Sequence, residues 1–227
     1  MKCHPEKLSV HRRPIKNISM AKRDVQKKQK PQHGRRKSLS IQRKTTYFVD
    51  VETNIGRQNI NAGYPAEAVS IGIAKINDLD KEEVVYYKEF RPRVWVDAEA
   101  LGIHGLSTEY LSQRQPFTRQ DANQINSILR DCHDCWAHNA PFDKEVLDRA
   151  FDIVGKVFFP FRNLGCTQAV ARQHKLPQKL DDLYRHFFGC DREQPHRADD
   201  DAIDLVHVYK AMKSRGLLSS RSRYKRR

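Results

Sequence analysis

Asp50 and Glu52 close the stretch TTYFVDVETN, Thr45 to Asn54, a run of β-favouring and mostly apolar residues. Side chains alternate faces along a strand, so positions i and i+2 point the same way. The two carboxylates would stand side by side. Like charges so placed repel, and one tends to hold a proton unless a cation lies between them. A hard divalent cation with oxygen ligands resolves that conflict. Two acids wetting an exposed strand end give the bland alternative, so the pair needs support from elsewhere in the chain.

Three more residues supply it. Asp143 falls in the first turn of a helix that begins in HNAPFDKEVLDRA, directly after the short strand-like CWAH. Asn139 suits the cap of that helix and Pro141 its first turn. Asp201 lies in HRADDDAIDL and shares a helical face with Leu205, Val208 and Met212, which makes it the inward member of its acidic run. His196 precedes it by five residues. Singly, each has a plain explanation: an acid in a first helical turn complements the helix dipole, and a loop histidine needs no task.

The elements that must hold these residues alternate in type. Thr46–Val51, Ala68–Ile76 and Glu83–Phe90 read as three consecutive strands with short connections, an antiparallel meander. Helical patterns follow at Asp97–Gly102, after a cap at Ser107 or Thr108, and over Asp121–Cys135, where Ile125, Ile128, Leu129 and Cys132 keep the helical period. Further helices are expected near Thr167–His174, Lys179–Phe188 and Ala198–Met212. The order implies an α/β fold, a mixed sheet flanked by helices.

Charge divides the chain. Residues 1–44 hold 15 Lys and Arg against two acids, a net +13. Residues 213–227 hold seven bases and no acid, and the segment 45–212 carries −6. A mildly acidic domain over 45–212 with two basic tails, 1–44 and 213–227, is the expected organisation. The first tail is too poor in large apolar residues to offset its ordering entropy, so it reads as disordered. Its charge suits phosphate backbones without sequence preference. An organellar transit peptide is a weaker reading, because the amphipathic period is faint. No apolar run approaches membrane-spanning length and no secretory signal is visible, so an intracellular, cytoplasmic protein is expected. Its cysteines read as free thiols. Cys132 and Cys135 have C-x-x-C spacing, but no second ligand pair for zinc accompanies them.

VDVET, AHNAPFD and HRADDDA, in this order, resemble the three motifs of the DEDDh family of 3′–5′ exonucleases, and IHGLS (Ile103–Ser107) resembles a further segment of that family. Arg197 stands where the tyrosine-type branch has its tyrosine, and His196 places the chain on the histidine-type side. The resemblance covers about 45–212. It implies a ribonuclease-H-like mixed sheet, an antiparallel three-strand meander continued by parallel strands. It also implies hydrolysis of single-stranded nucleic acid from the 3′ end with two divalent cations, Mg²⁺ or Mn²⁺. By the family pattern Asp50 would bridge both ions, Glu52 and Asp201 complete the first, and Asp143 anchor the second, with His196 as general base. Thr53, His104, Leu106 and Asn139 would serve the terminal nucleotide.

Two departures bear on substrate. The family's ETTG loop is here ETNIG, with Ile55 before Gly56, and its DTL segment is CTQ, Cys166–Gln168. Neither removes an expected ligand. DNA is the favoured substrate. RNA remains an alternative, because discrimination at the 2′-hydroxyl depends on pocket detail. A polymerase or repair assembly is a possible partner. A catalytically idle nucleic-acid-binding module is the reading from another class, and it has no need of five intact site residues.

Overall fold

The structure, a computed structural model, describes residues 45–77, 79–158, 164–192, 196–218 and 223–224. The expected basic tail 1–44 lies outside the described residues, as do 219–222 and 225–227 of the C-terminal one.

The chain runs β1 (Thr45–Thr53), α1 (Arg57–Asn61), β2 (Ala68–Ile76), β3 (Glu82–Glu89), α2 (Ala98–His104), α3 (Thr108–Ser112), α4 (Arg119–Ile128), β4 (Cys132–Ala137), α5 (Ala140–Ile153), β5 (Leu164–Cys166), α6 (Thr167–Gln173), α7 (Leu180–Phe188), α8 (Ala198–Ser214) and β6 (Arg223–Tyr224). The strands form one sheet in the order β3-β2-β1-β4-β5-β6. β1 pairs antiparallel with β2, and β2 with β3, so the expected meander is present. β4 joins β1 in parallel and β5 joins β4 in parallel. β6 pairs antiparallel with β5, which brings part of the basic C-terminal segment into the sheet.

Alternation along β1 sends odd and even residues to opposite layers. Tyr47, Val49 and Val51 enter the larger apolar layer with Ile125, Leu129, Leu147 and Phe151 of the α4–α5 side. Phe48 faces the other way, into Trp136 and the apolar stripes of α6, α7 and α8. Asp50 and Glu52 follow Phe48 on that second face, at the end of β1. A register shift between Glu52 and Thr53 marks a bulge there, a device that re-aims side chains beside functional sites.

Two expectations need correction. The helical pattern over Asp121–Cys135 ends early: α4 stops at Ile128, a 3₁₀ turn covers Leu129–Asp131, and Cys132 already belongs to β4. Cys132 kept the helical period, but pairing with Thr45 of β1 claims its backbone for the sheet. Asn139 does occupy the cap position of α5, yet its side chain makes no capping hydrogen bond; its carbonyl oxygen accepts from the Phe142 and Asp143 N–H groups instead. Pro141 lies in the first turn as expected.

Candidate active site

The sheet delivers the five principal residues from four places. Asp50 and Glu52 come from the end of β1, and Asp143 from the first turn of α5, which leaves the parallel neighbour β4. Asp201 comes from the first turn of α8, and His196 from the segment before it. Parallel strands end at one edge, so β1 and β4 present their carboxyl ends together, where α/β sheets commonly bind ligands. A Cβ on Gly72, the β2 residue opposite Asp50, would collide with the backbone of Ala198. Absence of that Cβ lets the start of α8 lie directly on the sheet, beside Asp50.

Carboxyl oxygens of Glu52 and Asp201 and a ring nitrogen of His196 all lie within 4.8 Å of one another. Asp143 and Asp201 are buried. Asp50 Oδ2 is buried with no hydrogen-bond partner. Burial first, then the charges of Asp201, Glu52 and Asp143, hold the Asp50 carboxyl well above its ordinary range. Burial, with Asp201 and Asp143 beside it, pushes Glu52 up to about 8. Burial also lifts Asp143 to about 7, against backbone hydrogen bonds that favour its charged form. Asp201 is raised by burial and restrained by Arg192 and the His196 N–H. Four acids that obstruct one another's ionisation, one with an orphaned oxygen, are a donor set short of cations. Their all-oxygen chemistry fits Mg²⁺ or Mn²⁺ rather than a thiolate-seeking metal.

A cavity of about 290 Å³ adjoins the carboxylates, with Glu52, Thr53, Ile55, His104, Asn139 and Phe142 in its wall. His104 Nε2 lies 3.0 Å from the Thr53 carbonyl oxygen, while its Nδ1 accepts from the Leu106 N–H at 3.0 Å. Both ring positions are thereby assigned to a neutral imidazole, and burial lowers its pKa. Thr53 is buried, its hydroxyl donating to the Ile55 carbonyl at 3.0 Å. Leu106 packs instead against the small cluster of Val69, Val96, Ala100 and Leu111. Thus Thr53, His104 and Asn139 meet at the cavity, and Leu106 supports it from behind through its backbone.

Several contributors were not visible in the sequence. Asn54 is fully buried and staples the loop after β1: its side-chain amide donates to the Trp95 carbonyl at 3.2 Å, and its Oδ1 accepts from the Glu67 N–H at 2.7 Å. Asp97 caps α2 through Oδ1 at 2.7 Å from the Ala100 N–H, while its Oδ2 accepts from the Gly56 N–H at 2.8 Å. These bonds fix the departing ETNIG loop against α2, and Ile55 is buried in the cavity wall. Phe142 directly precedes Asp143, and its ring is the aromatic surface of the cavity; an aromatic residue beside a first-turn acid was the only signal available for it.

The model of the exonuclease family matches residues 47–209. The DNA polymerase III subunit epsilon of Escherichia coli (strain K12) is 28% identical over 172 residues, 72% of this chain and 69% of that protein. Among solved structures, the nuclease domain of 3′hExo, described as a DEDDh family member bound to rAMP, is similar with a TM-score of 0.62 at 13% identity, over 76% of this chain and 93% of that one. A full-length 3′-exonuclease gives a TM-score of 0.61 at 14% identity, over 76% of this chain. This chain covers 61% of that protein, less than two thirds of its length.

Proposed function

The chain belongs to the exonuclease family, and from that premise we propose that it removes nucleotides from the 3′ end of single-stranded nucleic acid, DNA by preference, with two divalent cations. The observation that carries this reading is the quartet Asp50, Glu52, Asp143 and Asp201, the first two half-buried and the last two buried, with an orphaned oxygen on Asp50, beside a cavity that Phe142 helps to line. Mg²⁺ or Mn²⁺ held there would supply charge stabilisation to the attacking and leaving oxygens of the phosphodiester.

This chain's own residues divide the remaining work. Asp50 and Glu52, fixed on a strand, and Asp143 and Asp201, fixed at two helix starts, keep the oxygen donors converged without reorganisation during reaction. A ring nitrogen of His196 takes a proton from the attacking water, the general-base role that histidine most often fills. Attack breaks the P–O3′ bond and frees one nucleotide. Phe142 and Ile55 offer apolar faces to the terminal base, and Asn139 offers an amide at the cavity wall. The basic segment 1–44 would hold the polyanion that the acidic domain repels.

RNA is the second reading. The DNA favoured here accords with the relative named as a DNA polymerase subunit, whereas the neighbour bound to rAMP favours the ribose form. A gel assay with 5′-labelled single-stranded DNA and matched RNA, in Mg²⁺, Mn²⁺ or EDTA and beside Asp143→Ala, tests both. Expected is a metal-dependent ladder shortening from the 3′ end, faster on DNA and abolished by Asp143→Ala. Binding of either polymer without cleavage would replace the enzyme by the binding module.

A further inference from the structure

Arg192 is the one buried Lys or Arg among the described residues. Its side chain is 2% exposed, and its guanidinium meets three carboxylates. Nη2 stands 2.5 Å from Asp181 Oδ1, Nη1 donates to Asp201 Oδ1 at 2.7 Å, and Nη1 lies 3.5 Å from Asp204 Oδ2. Asp181 belongs to the first turn of α7, and Asp201 and Asp204 to α8, so one side chain ties both helices to a residue of the site.

The ties continue to His196. The other oxygen of Asp181, Oδ2, stands 3.8 Å from His196 Nε2. Asp201 Oδ1, already bonded to Arg192, also accepts the backbone N–H of His196 at 3.0 Å. That backbone has φ of 67°, a left-handed conformation costly for a residue with a side chain. It is therefore held by its surroundings, and the bond to Asp201 is one such hold. Both contacts to Asp201 use Oδ1, which leaves Oδ2 for the site.

We infer that Arg192 is a positioning residue: through Asp201 Oδ1 and Asp181 it orients a metal-holding carboxylate and the general base as one unit. The inference rests on the proposed metal site. A buried guanidinium without partners is strongly unfavourable, so its place among three acids explains its burial. Its planar fork explains why arginine is needed, since the compact ammonium of lysine cannot meet Asp181, Asp201 and Asp204 in the same geometry. A merely structural bridge would need the charge and its contacts to hold the helices, and would leave metal affinity untouched in any variant that folds.

The test uses the full chain as wild type, Arg192→Lys, Asp181→Asn and, as a control, Arg185→Lys, whose exposed side chain pairs with Asp182 and Asp191. Calorimetric titration with Mn²⁺ alone is run beside steady-state hydrolysis of single-stranded DNA, with folded fraction checked by circular dichroism. Replacing a residue that orients a metal ligand costs about 10–100-fold in metal affinity or activity. Arg192→Lys is expected to fall in that range for Mn²⁺ affinity and for kcat, with KM for DNA little changed. Asp181→Asn is expected to lower kcat and keep Mn²⁺ affinity, and it carries the test if Arg192→Lys does not fold. Arg185→Lys should match wild type. Folded Arg192→Lys with wild-type Mn²⁺ affinity and kcat, or Asp181→Asn with wild-type kcat where it carries the test, would overturn the inference. Wild type that binds Mn²⁺ but cuts neither polymer would sink the proposed function alone, because the Mn²⁺ comparison still decides the role of Arg192. Wild type that binds no Mn²⁺ would end both.

Discussion

Gly72 on β2 and Ala198 at the start of α8 approach so closely that a Cβ on Gly72 would fall 2.0 Å from the Ala198 carbonyl oxygen. The obstacle is backbone, so the helix itself would have to move. Gly72 is the cross-strand partner of Asp50, and Asp201 follows Ala198 by three residues. Gly72→Ala should therefore displace the start of α8 and separate Asp201 from Asp50. Overpacking of this kind costs on the order of 1–3 kcal/mol. Urea denaturation should show that loss, and Mn²⁺ affinity of the folded variant should fall. Unchanged Mn²⁺ affinity would mean that this approach does not set the spacing of the two carboxylates.

The sequence made some of this arrangement legible and concealed the rest for definite reasons. β1 and β2 could be read from β-branched and apolar runs, and the inward face of α8 from Leu205, Val208 and Met212, because each pattern is local. Asp50, Glu52, Asp143, His196 and Asp201 could be read as a set because three motifs carry them. β4 was half hidden: Cys132 satisfies a helical period, and only the distant partner Thr45 turns it into strand. β5 is three residues long and offers no period at all. Gly72, Arg192 and Asp181 carry no local signal, since their parts depend on which helix lands on which strand.

The raised carboxyls give the protein without metal a pH-dependent stability of known sign. Glu52 at about 8 and Asp143 at about 7 bind protons in the folded state that the unfolded chain has already released. Stability from these groups is full below their unfolded values near 4 and is lost as pH rises through 7 to 8. His207, also raised, acts in the same direction at its own pKa. Buried His104 and His138 have lowered pKa values and act oppositely, chiefly below about 6.5. In EDTA, Tm should therefore fall between about pH 6.5 and 8.5, and it should fall less steeply in Glu52→Gln. Mg²⁺ or Mn²⁺ should reverse the trend, since cations bind the deprotonated acids. A metal-free Tm that is flat over this range in both proteins would contradict the burial of these charges.

His196 and Asp201 should separate on mutation, although they lie together. His196→Ala keeps the backbone N–H that Asp201 Oδ1 accepts. Its Mn²⁺ affinity should stay near wild type while kcat falls about 10²–10⁴-fold, the usual worth of a general base. Asp201→Asn removes a charged oxygen donor and leaves Arg192 less compensated, so both Mn²⁺ affinity and folded stability should fall. Calorimetry and thermal melts read the two outcomes. Equal loss of Mn²⁺ affinity in both variants would recast His196 as a metal ligand.

Residues 1–44 make the last prediction, and their charge alone carries it. The domain over 45–212 is net −6, while the first 44 residues are net +13. An acidic domain repels the strand it must cut, apart from the cations at its site. A basic segment counters that repulsion by releasing counterions from the strand, at about 0.7 per phosphate contacted for single strands. Deleting residues 1–44 should then raise KM at low salt and flatten its dependence on salt concentration. The chemical step lies in the domain, so kcat should hold. Measuring KM and kcat from about 50 to 200 mM salt, a range over which such contacts weaken markedly, separates the two. Should KM at low salt stay unchanged after deletion, the segment has no part in holding substrate, and the remaining basic residues at 213–227 must do so.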